Sequence, residues 1–214
     1  LHRRLVATGC DDLDAYERLL ADEEQEIDRL CRELLISVTE FFRDRQAFVA
    51  LRRALEHLLE QRPSREGIRI WVPGCATGEE AYSIAILLAE LLDEELPNHR
   101  IQLFATDLDE AALKEARYGA YPVGAVQELP RSTVERFFVR EWNHVRVIKP
   151  LREMVVFARQ DLLNDPPFTR LDLISCRNVL IYLRPETQQR LLELFHYALR
   201  HSGRLLLGRA EGVG

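Results

Sequence analysis

The sequence predicts an α/β protein built on a doubly wound, mainly parallel sheet, preceded by a small helical element. Three observations carry this expectation. From residue 68 onward, short apolar strands alternate with stretches of helical periodicity. The first strand, Ile68 to Val72, runs through Pro73-Gly74-Cys75-Ala76-Thr77-Gly78 directly into a helix opening with Glu79 and Glu80. Strands joined through helices also require right-handed crossovers, which place helices on both faces of one sheet.

In residues 1–36, Leu13, Tyr16, Leu19 and Leu20, then Ile27, Leu30, Leu34 and Leu35, fall near helical spacing. This reads as a helical element, part of a larger helical domain. Ser37-Val38-Thr39-Glu40 fits a capping box for a helix over Phe41 to Gln61, ended by Pro63. Strand Ile68 to Val72 then leads to helix Glu79 to Leu92, and strand Ile101 to Thr106 to helix Asp109 to Arg117. A less regular stretch follows, holding Tyr118-Gly119-Ala120-Tyr121-Pro122 and Arg136-Phe137-Phe138. Strands Val155 to Arg159 and Leu171 to Ser175 come next, then a helix from Pro185 to Leu199 stopped by Gly203, and strand Arg204 to Gly208.

At 214 residues and 47% hydrophobic content, the chain can bury one substantial core. No apolar run approaches the roughly 20 residues that span a bilayer, and Leu1 to Ala7 lacks the features of a signal peptide, so a cytoplasmic location without membrane insertion is expected. Cys10, Cys31, Cys75 and Cys176 form no C-x-x-C pair, which points to reduced thiols and no metal site. Of the net charge of -6, the first 36 residues hold -5 in ten acids and five arginines. A nearly neutral body behind an acidic segment argues against nucleic-acid binding, which needs a basic surface.

The strand-turn-helix at Gly74 to Glu80 builds a nucleoside pocket, and its acids select the ligand. A pyrophosphate favours the free N–H groups of a helix start, but Glu79 and Glu80 would repel it there. S-adenosylmethionine carries an ammonium and a sulfonium, which suit those carboxylates, and bare glycine backbone permits close approach. The absence of G-x-G-x-x-G further disfavours a nicotinamide dinucleotide. Taken alone, the stretch reads equally well as a plain strand-to-helix turn whose acids complement the helix dipole.

Asp107, at the carboxyl end of the second strand, can accept both ribose hydroxyls. Its alternative role is a helix cap, which Asp109 fits better. Asp161 in Gln160-Asp161-Leu162 follows the third strand, where a polar group can meet an adenine amine; ordinary loop polarity is the alternative. Asn164-Asp165-Pro166-Pro167-Phe168 stands before a strand and reads as a rigid turn. Cys176-Arg177-Asn178 and Tyr182 cluster at the end of the fourth strand, where burial would require partners. No histidine falls in these motifs.

Together the residues resemble the CheR family of S-adenosylmethionine-dependent methyltransferases, which esterify glutamates of bacterial chemoreceptors. The likeness rests on Thr39-Glu40-Phe41-Phe42-Arg43-Asp44, Pro73-Gly74-Cys75-Ala76-Thr77-Gly78-Glu79-Glu80, Ala105-Thr106-Asp107-Leu108-Asp109 and Cys176-Arg177-Asn178-Val179-Leu180-Ile181-Tyr182, in order. It implies a Rossmann-like class I methyltransferase domain over residues 37–214, lacking its last strands, behind the 1–36 element. It implies donor contacts from Ser37, Thr39, Arg43, Gly74, Cys75, Glu79, Asp107, Asp161, Leu162, Cys176, Arg177 and Asn178, with Arg43, Arg177 and Tyr182 at the methyl-transfer end. S-adenosylhomocysteine is then the product, and the partners are cytoplasmic chemoreceptor helices or another signalling protein. Many members have asparagine where this chain has Ser37, and their leading helical domain is longer and basic. Similar Ser-Val-Thr versions occur in fusions with a methylesterase-like domain and sensory domains, so flanking domains and a donor-binding regulatory role form the second reading.

Overall fold

The structure is a computed structural model that describes residues 2–23, 25–27, 29–30, 39–61 and 67–212. It divides into two compact units, Leu1–Val38 and Thr39–Gly214.

The first unit contains helices α1 (His2–Thr8) and α2 (Leu13–Asp22), the latter capped by Asp12, whose side chain accepts from the Ala15 N–H at 2.8 Å. Tyr16 is its buried anchor, and the Tyr16 hydroxyl donates to Glu26 Oε1 at 2.9 Å. Arg4 grips the same carboxylate with two bonds, of 2.8 and 2.6 Å. This bidentate pair holds the buried Glu26 carboxyl below its usual range.

The second unit is organised by a five-stranded parallel sheet in the order β6-β2-β1-β7-β8. Its strands are β1 (Ile68–Pro73), β2 (Ile101–Asp107), β6 (Val155–Arg159), β7 (Leu171–Cys176) and β8 (Leu199–Leu207). The chain winds outward from β1 to β2 and β6, then returns to β1's other side for β7 and β8. The switch point therefore lies between β1 and β7, at whose carboxyl ends stand Gly74 and Arg177.

Strand pleating divides the core between the two faces. Ile70, Leu103 and Val155 share one cross-strand row, and Val72, Ala105 and Phe157 the next. These pack against α3 (Arg45–Glu60), α4 (Glu79–Leu92), α5 (Glu110–Tyr118) and α7 (Lys149–Met154). Helix α4 is apolar nearly all round and buried from its first residue, with Ala81, Ala85 and Ala89 keeping it slim. The opposite face carries Trp71 and Ile174 beneath α8 (Pro185–Ala198). The segment that joins β6 to β7, described throughout, contains no helix to cover this face. The Asn164 to Phe168 turn does so instead: Phe168 stacks on Phe104 with centroids 4.3 Å apart and meets Trp71 edge-on at 5.5 Å.

Three parts of the sequence expectation need correction. The helix expected from Phe41 starts at Arg45, because Phe42 and Asp44 take left-handed backbone, φ 54° and 62°. Ser37 and Val38 of the expected capping box lie outside the described residues. The irregular stretch holds a second, antiparallel sheet of order β3-β5-β4, formed by β3 (Ala120–Pro122), β4 (Phe138–Glu141) and β5 (His144–Val147), with α6 (Arg131–Phe137) ahead of β4. Strands of three or four residues leave too little alternation to detect from sequence. Finally, β8 begins at Leu199 rather than Arg204 and contains Gly203. A Cβ there would meet the Leu171 and Arg200 carbonyl oxygens at 2.9 Å, so this glycine permits close strand approach beside a register shift rather than stopping a helix.

Gly74 has φ +67°, and a Cβ on it would overlap Val179 Cγ2. Gly74→Ala should therefore destabilise the fold by about 1 to 3 kcal/mol. Gly124, with nothing within 4 Å of its added Cβ, should tolerate alanine within about 0.5 kcal/mol. Denaturant unfolding of both variants measures the difference.

Candidate functional site

The site gathers at the carboxyl ends of β1, β2 and β7. After β1 the chain turns through Gly74, Ala76 and Gly78, all with positive φ, and delivers the first turn of α4. The turn is fastened on three sides. The Cys75 N–H donates to the Thr106 carbonyl at 3.0 Å, the Ala76 N–H to Asp107 Oδ2 at 2.8 Å, and the Tyr121 hydroxyl to the Thr77 carbonyl at 2.7 Å. Tyr121 belongs to the antiparallel sheet, so that insertion props the turn from outside. The Cys75 thiol is buried, and burial first of all pushes its pKa well above the usual thiol range. Its contribution here is backbone and volume, not nucleophilicity.

The two adjacent acids part company. Glu79 is 7% exposed, and its Oε2 accepts the Thr77 hydroxyl at 2.6 Å. Burial raises its pKa above the usual carboxylate range, and among the described residues no cation offsets that cost. Glu80 is turned the other way. Its Oε1 accepts the Ser175 hydroxyl at 2.7 Å and its Oε2 the Arg177 Nη1–H at 3.1 Å.

Asp107 accepts one backbone N–H on each oxygen, from Ala76 at 2.8 Å and Asp109 at 3.0 Å. Each oxygen keeps a lone pair for a ribose hydroxyl. Asp109 caps α5 through the Ala111 N–H at 2.9 Å, as expected from sequence. The Asp161-Leu162 turn is brought alongside by the Gln160 N–H, which donates to the Asp107 carbonyl at 3.1 Å. Asp161 accepts from Asn164 Nδ2 and the Leu163 N–H, both within the turn, and these bonds hold its pKa low.

The last part of the site is the turn Thr39 to Asp44. Thr39 and Arg43 are both half-buried on it. Phe41 anchors the turn in the core, edge-on to Tyr121 and Phe138 at 4.9 and 5.3 Å. The Phe42 N–H donates to Ser83 Oγ at 2.9 Å. Asp44 is clamped by Arg209, whose Nε and Nη2 lie 2.9 and 3.0 Å from its carboxylate. Between this turn and β7, a cavity of about 490 Å³ opens, lined by Arg43, Asp44, Arg45, Gln46, Arg177, Asn178 and Arg209.

Arg177 borders that cavity, but its side chain is only 2% exposed, with the guanidinium on Glu80 and on the Arg43 carbonyl. Cys176 is fully buried behind it. Asn178 takes φ 60°, and its N–H donates to Glu211 at 2.8 Å; Glu211 also accepts from Leu180 and Gly208. Tyr182 lies on the following turn with its side chain 53% exposed. Ser37 lies outside the described residues. Sequence alone assigns both Glu79 and Glu80 to the ligand's positive charge; for Glu80 this needs correction, because its carboxylate is taken up by Ser175 and Arg177. Ser175, Tyr121 and Glu211 are not among the site residues expected from sequence, and of these Ser175, beside Cys176, carried a signal.

A buried acid with no cation beside it among the described residues, set by a glycine turn and an aspartate with spare acceptor capacity, fits a nucleoside ligand bearing an ammonium group. On a doubly wound sheet these features define an S-adenosylmethionine-dependent methyltransferase. The family model described as "CheR methyltransferase, SAM binding domain" matches residues 37–214, and the chain belongs to that family. It is 39% identical, over its whole length, to 22% of an "Uncharacterized 104.1 kDa protein in hypE 3'region" of Rhodobacter capsulatus. It is 38% identical to the "Putative methyltransferase Cher3" of Pseudomonas putida, covering 92% of this chain and 72% of that one. It is 36% identical to "Chemotaxis protein methyltransferase 2" of Pseudomonas aeruginosa, covering 99% and 76%.

Two outcomes test the site. Asp107→Ala should weaken S-adenosylhomocysteine binding by about 1.5 to 3 kcal/mol, the range for a hydrogen bond to a charged group, as read by calorimetry. Burial raises the Glu79 pKa in the free protein, and a ligand ammonium paired with this carboxylate requires it ionised, so affinity should fall as pH is lowered through a window that begins above the ordinary carboxylate range. Glu79→Gln should bind weakly and lose that pH dependence.

Proposed function

We propose that this chain transfers a methyl group from S-adenosylmethionine to glutamate side-chain carboxylates of bacterial chemoreceptors, in cytoplasmic chemotaxis adaptation. The observation that carries the donor half is Glu79, desolvated beside the glycine turn and lacking a cation among the described residues. The cavity that Arg43, Arg45, Arg177 and Arg209 line supports an anionic acceptor. The name of the Pseudomonas aeruginosa relative supports the chemotaxis setting. Residues 37–214 form the methyltransferase domain in this reading, with the helical element of residues 1–36 ahead of it and flanking domains in a longer protein.

In the bound complex Glu79 takes the ammonium and Asp107 the ribose hydroxyls. The backbone of Gly74, Cys75, Leu162, Cys176 and Asn178 forms the walls, with Thr39, Asp161 and Ser37 as further polar contacts. The donor supplies an electrophilic methyl carbon on a sulfonium. A glutamate of pKa about 4.3 is already ionised at neutral pH, so the acceptor needs no general base. This agrees with a site without histidine. The acceptor oxygen bonds the methyl carbon as the carbon–sulfur bond breaks with its electron pair left on sulfur, so the carboxylate and sulfonium charges are both lost and no proton moves.

The protein's task is therefore to align the acceptor and exclude water, which lowers the barrier when reacting atoms are held about 3 to 3.5 Å apart. Arg43, which lines the cavity, steers the incoming carboxylate, with the exposed Tyr182 as a further residue of the methyl-transfer end. Asp44 sits on the same turn, and its clamp by Arg209 masks a charge that would repel the acceptor. Too firm a grip by Arg43 would lower the acceptor's nucleophilicity, so a steering contact serves better than a bidentate one.

The direct test is transfer of labelled methyl from the donor to receptor fragments, with base-labile release to establish an ester. Label retained after base treatment, or none transferred, overturns the proposal. Arg43→Ala should lower kcat more than it weakens S-adenosylhomocysteine binding, because alignment is expressed in the transition state. Equal losses would make Arg43 a plain binding residue.

A further inference from the structure

Glu80 has no task in the donor site, yet it lies in its first helical turn, and its partners lead to the acceptor end. Its carboxylate is shared between Ser175 at 2.7 Å and Arg177 at 3.1 Å. Arg177 in turn donates from Nη2 to the Arg43 carbonyl at 2.8 Å and lies over the Phe48 ring, 5.6 Å from its centroid. Three elements distant in sequence are thereby joined: the end of β7, the start of α4 and the turn ahead of α3.

That turn needs an external hold. Left-handed backbone at two non-glycine residues, Phe42 and Asp44, is not adopted spontaneously and persists only when the surroundings impose it. The Arg43 N–H donates to the Glu40 carbonyl within the turn at 3.4 Å, and from outside the turn Arg177 holds the Arg43 carbonyl. A guanidinium stays charged however deeply it is buried, so it is held in place by the carboxylates beside it: Glu80 Oε2 is the nearer, 3.1 Å from Nη1, and Asp44 Oδ2 lies 3.9 Å from Nη2.

We propose that Glu80 is a positioning residue for methyl transfer: through Arg177 it fixes the backbone of Arg43, and Arg177 serves as a strut within the protein rather than as a contact to the acceptor carboxylate. The proposal rests on the glutamate-methyltransferase reading above for its kinetic consequence, but not for its structural one. The arrangement also explains why two consecutive acids begin α4. One faces outward to a ligand cation, and the other faces an internal cation that shapes the neighbouring subsite.

The test uses Glu80→Gln, which keeps the shape and removes the charge, and Ser175→Ala as a milder second variant should the first fail to fold. Glu80→Gln should lower kcat about 10- to 100-fold, the cost of a misplacement near 1 Å, while S-adenosylhomocysteine affinity stays within about twofold. In an Arg43→Ala background the same change should cost less than about twofold, because residues acting through one another are not additive. Hydrogen exchange of the amides of Arg43 and Ala47 should speed up in Glu80→Gln, with Ser175→Ala shifting each quantity the same way by less. Multiplicative effects of Glu80→Gln and Arg43→Ala, or unchanged exchange at Arg43, would overturn the proposal. If wild-type protein transfers no methyl to glutamate yet exchange at Arg43 rises in the variant, the functional reading fails and the positioning role stands.

Discussion

Burial of the first turn of α4 is the constraint on which the site depends. A helix that is apolar on nearly every side has to enter the core at once, and it does so directly from a glycine-bracketed turn at the sheet's switch point. Two carboxylates are thereby withdrawn from water within one turn. The positive end of the helix dipole eases their cost but does not remove it, and both are raised in pKa by burial. Each then needs a cation. Glu80 finds Arg177 inside the protein, while Glu79 faces the cradle where a ligand ammonium can approach. Donor recognition and internal architecture are thus two answers to one electrostatic problem.

The same logic extends to the parts that surround the cradle. The antiparallel insertion reaches the site through the Tyr121 hydroxyl on the Thr77 carbonyl and through the rings of Tyr121 and Phe138 packed on Phe41. It braces both the glycine turn and the turn that bears Arg43. Glu211 plays a similar part on the far side by collecting the N–H groups of Asn178, Leu180 and Gly208. Backbone groups left over by sharp turns are satisfied by charged acceptors, which makes those turns rigid enough to serve as walls. Asp161 does this for its own loop by accepting the Leu163 N–H.

The sequence by itself determined the alternation of strands and helices, because apolar period and turn residues are local properties that each segment carries. It also determined the glycine turn with its two acids, the aspartate closing β2 and the cap at Asp109, since each depends only on a few neighbours. Tertiary structure alone decided which acid is paired with an arginine inside the protein and which has no cation beside it among the described residues. Glu79 and Glu80 are equivalent in type and adjacent in sequence, and only the direction of each side chain, set by the roll of α4 on the sheet, separates them. The start of α3 was likewise beyond local reading: Phe41 leaves the helix because the core rewards its ring against Tyr121 and Phe138, and Phe42 and Asp44 absorb the resulting strain. The antiparallel sheet escaped for a related reason. Its strands are too short to show a period, and they are held by pairing and by side chains from elsewhere in the chain, which no local pattern records.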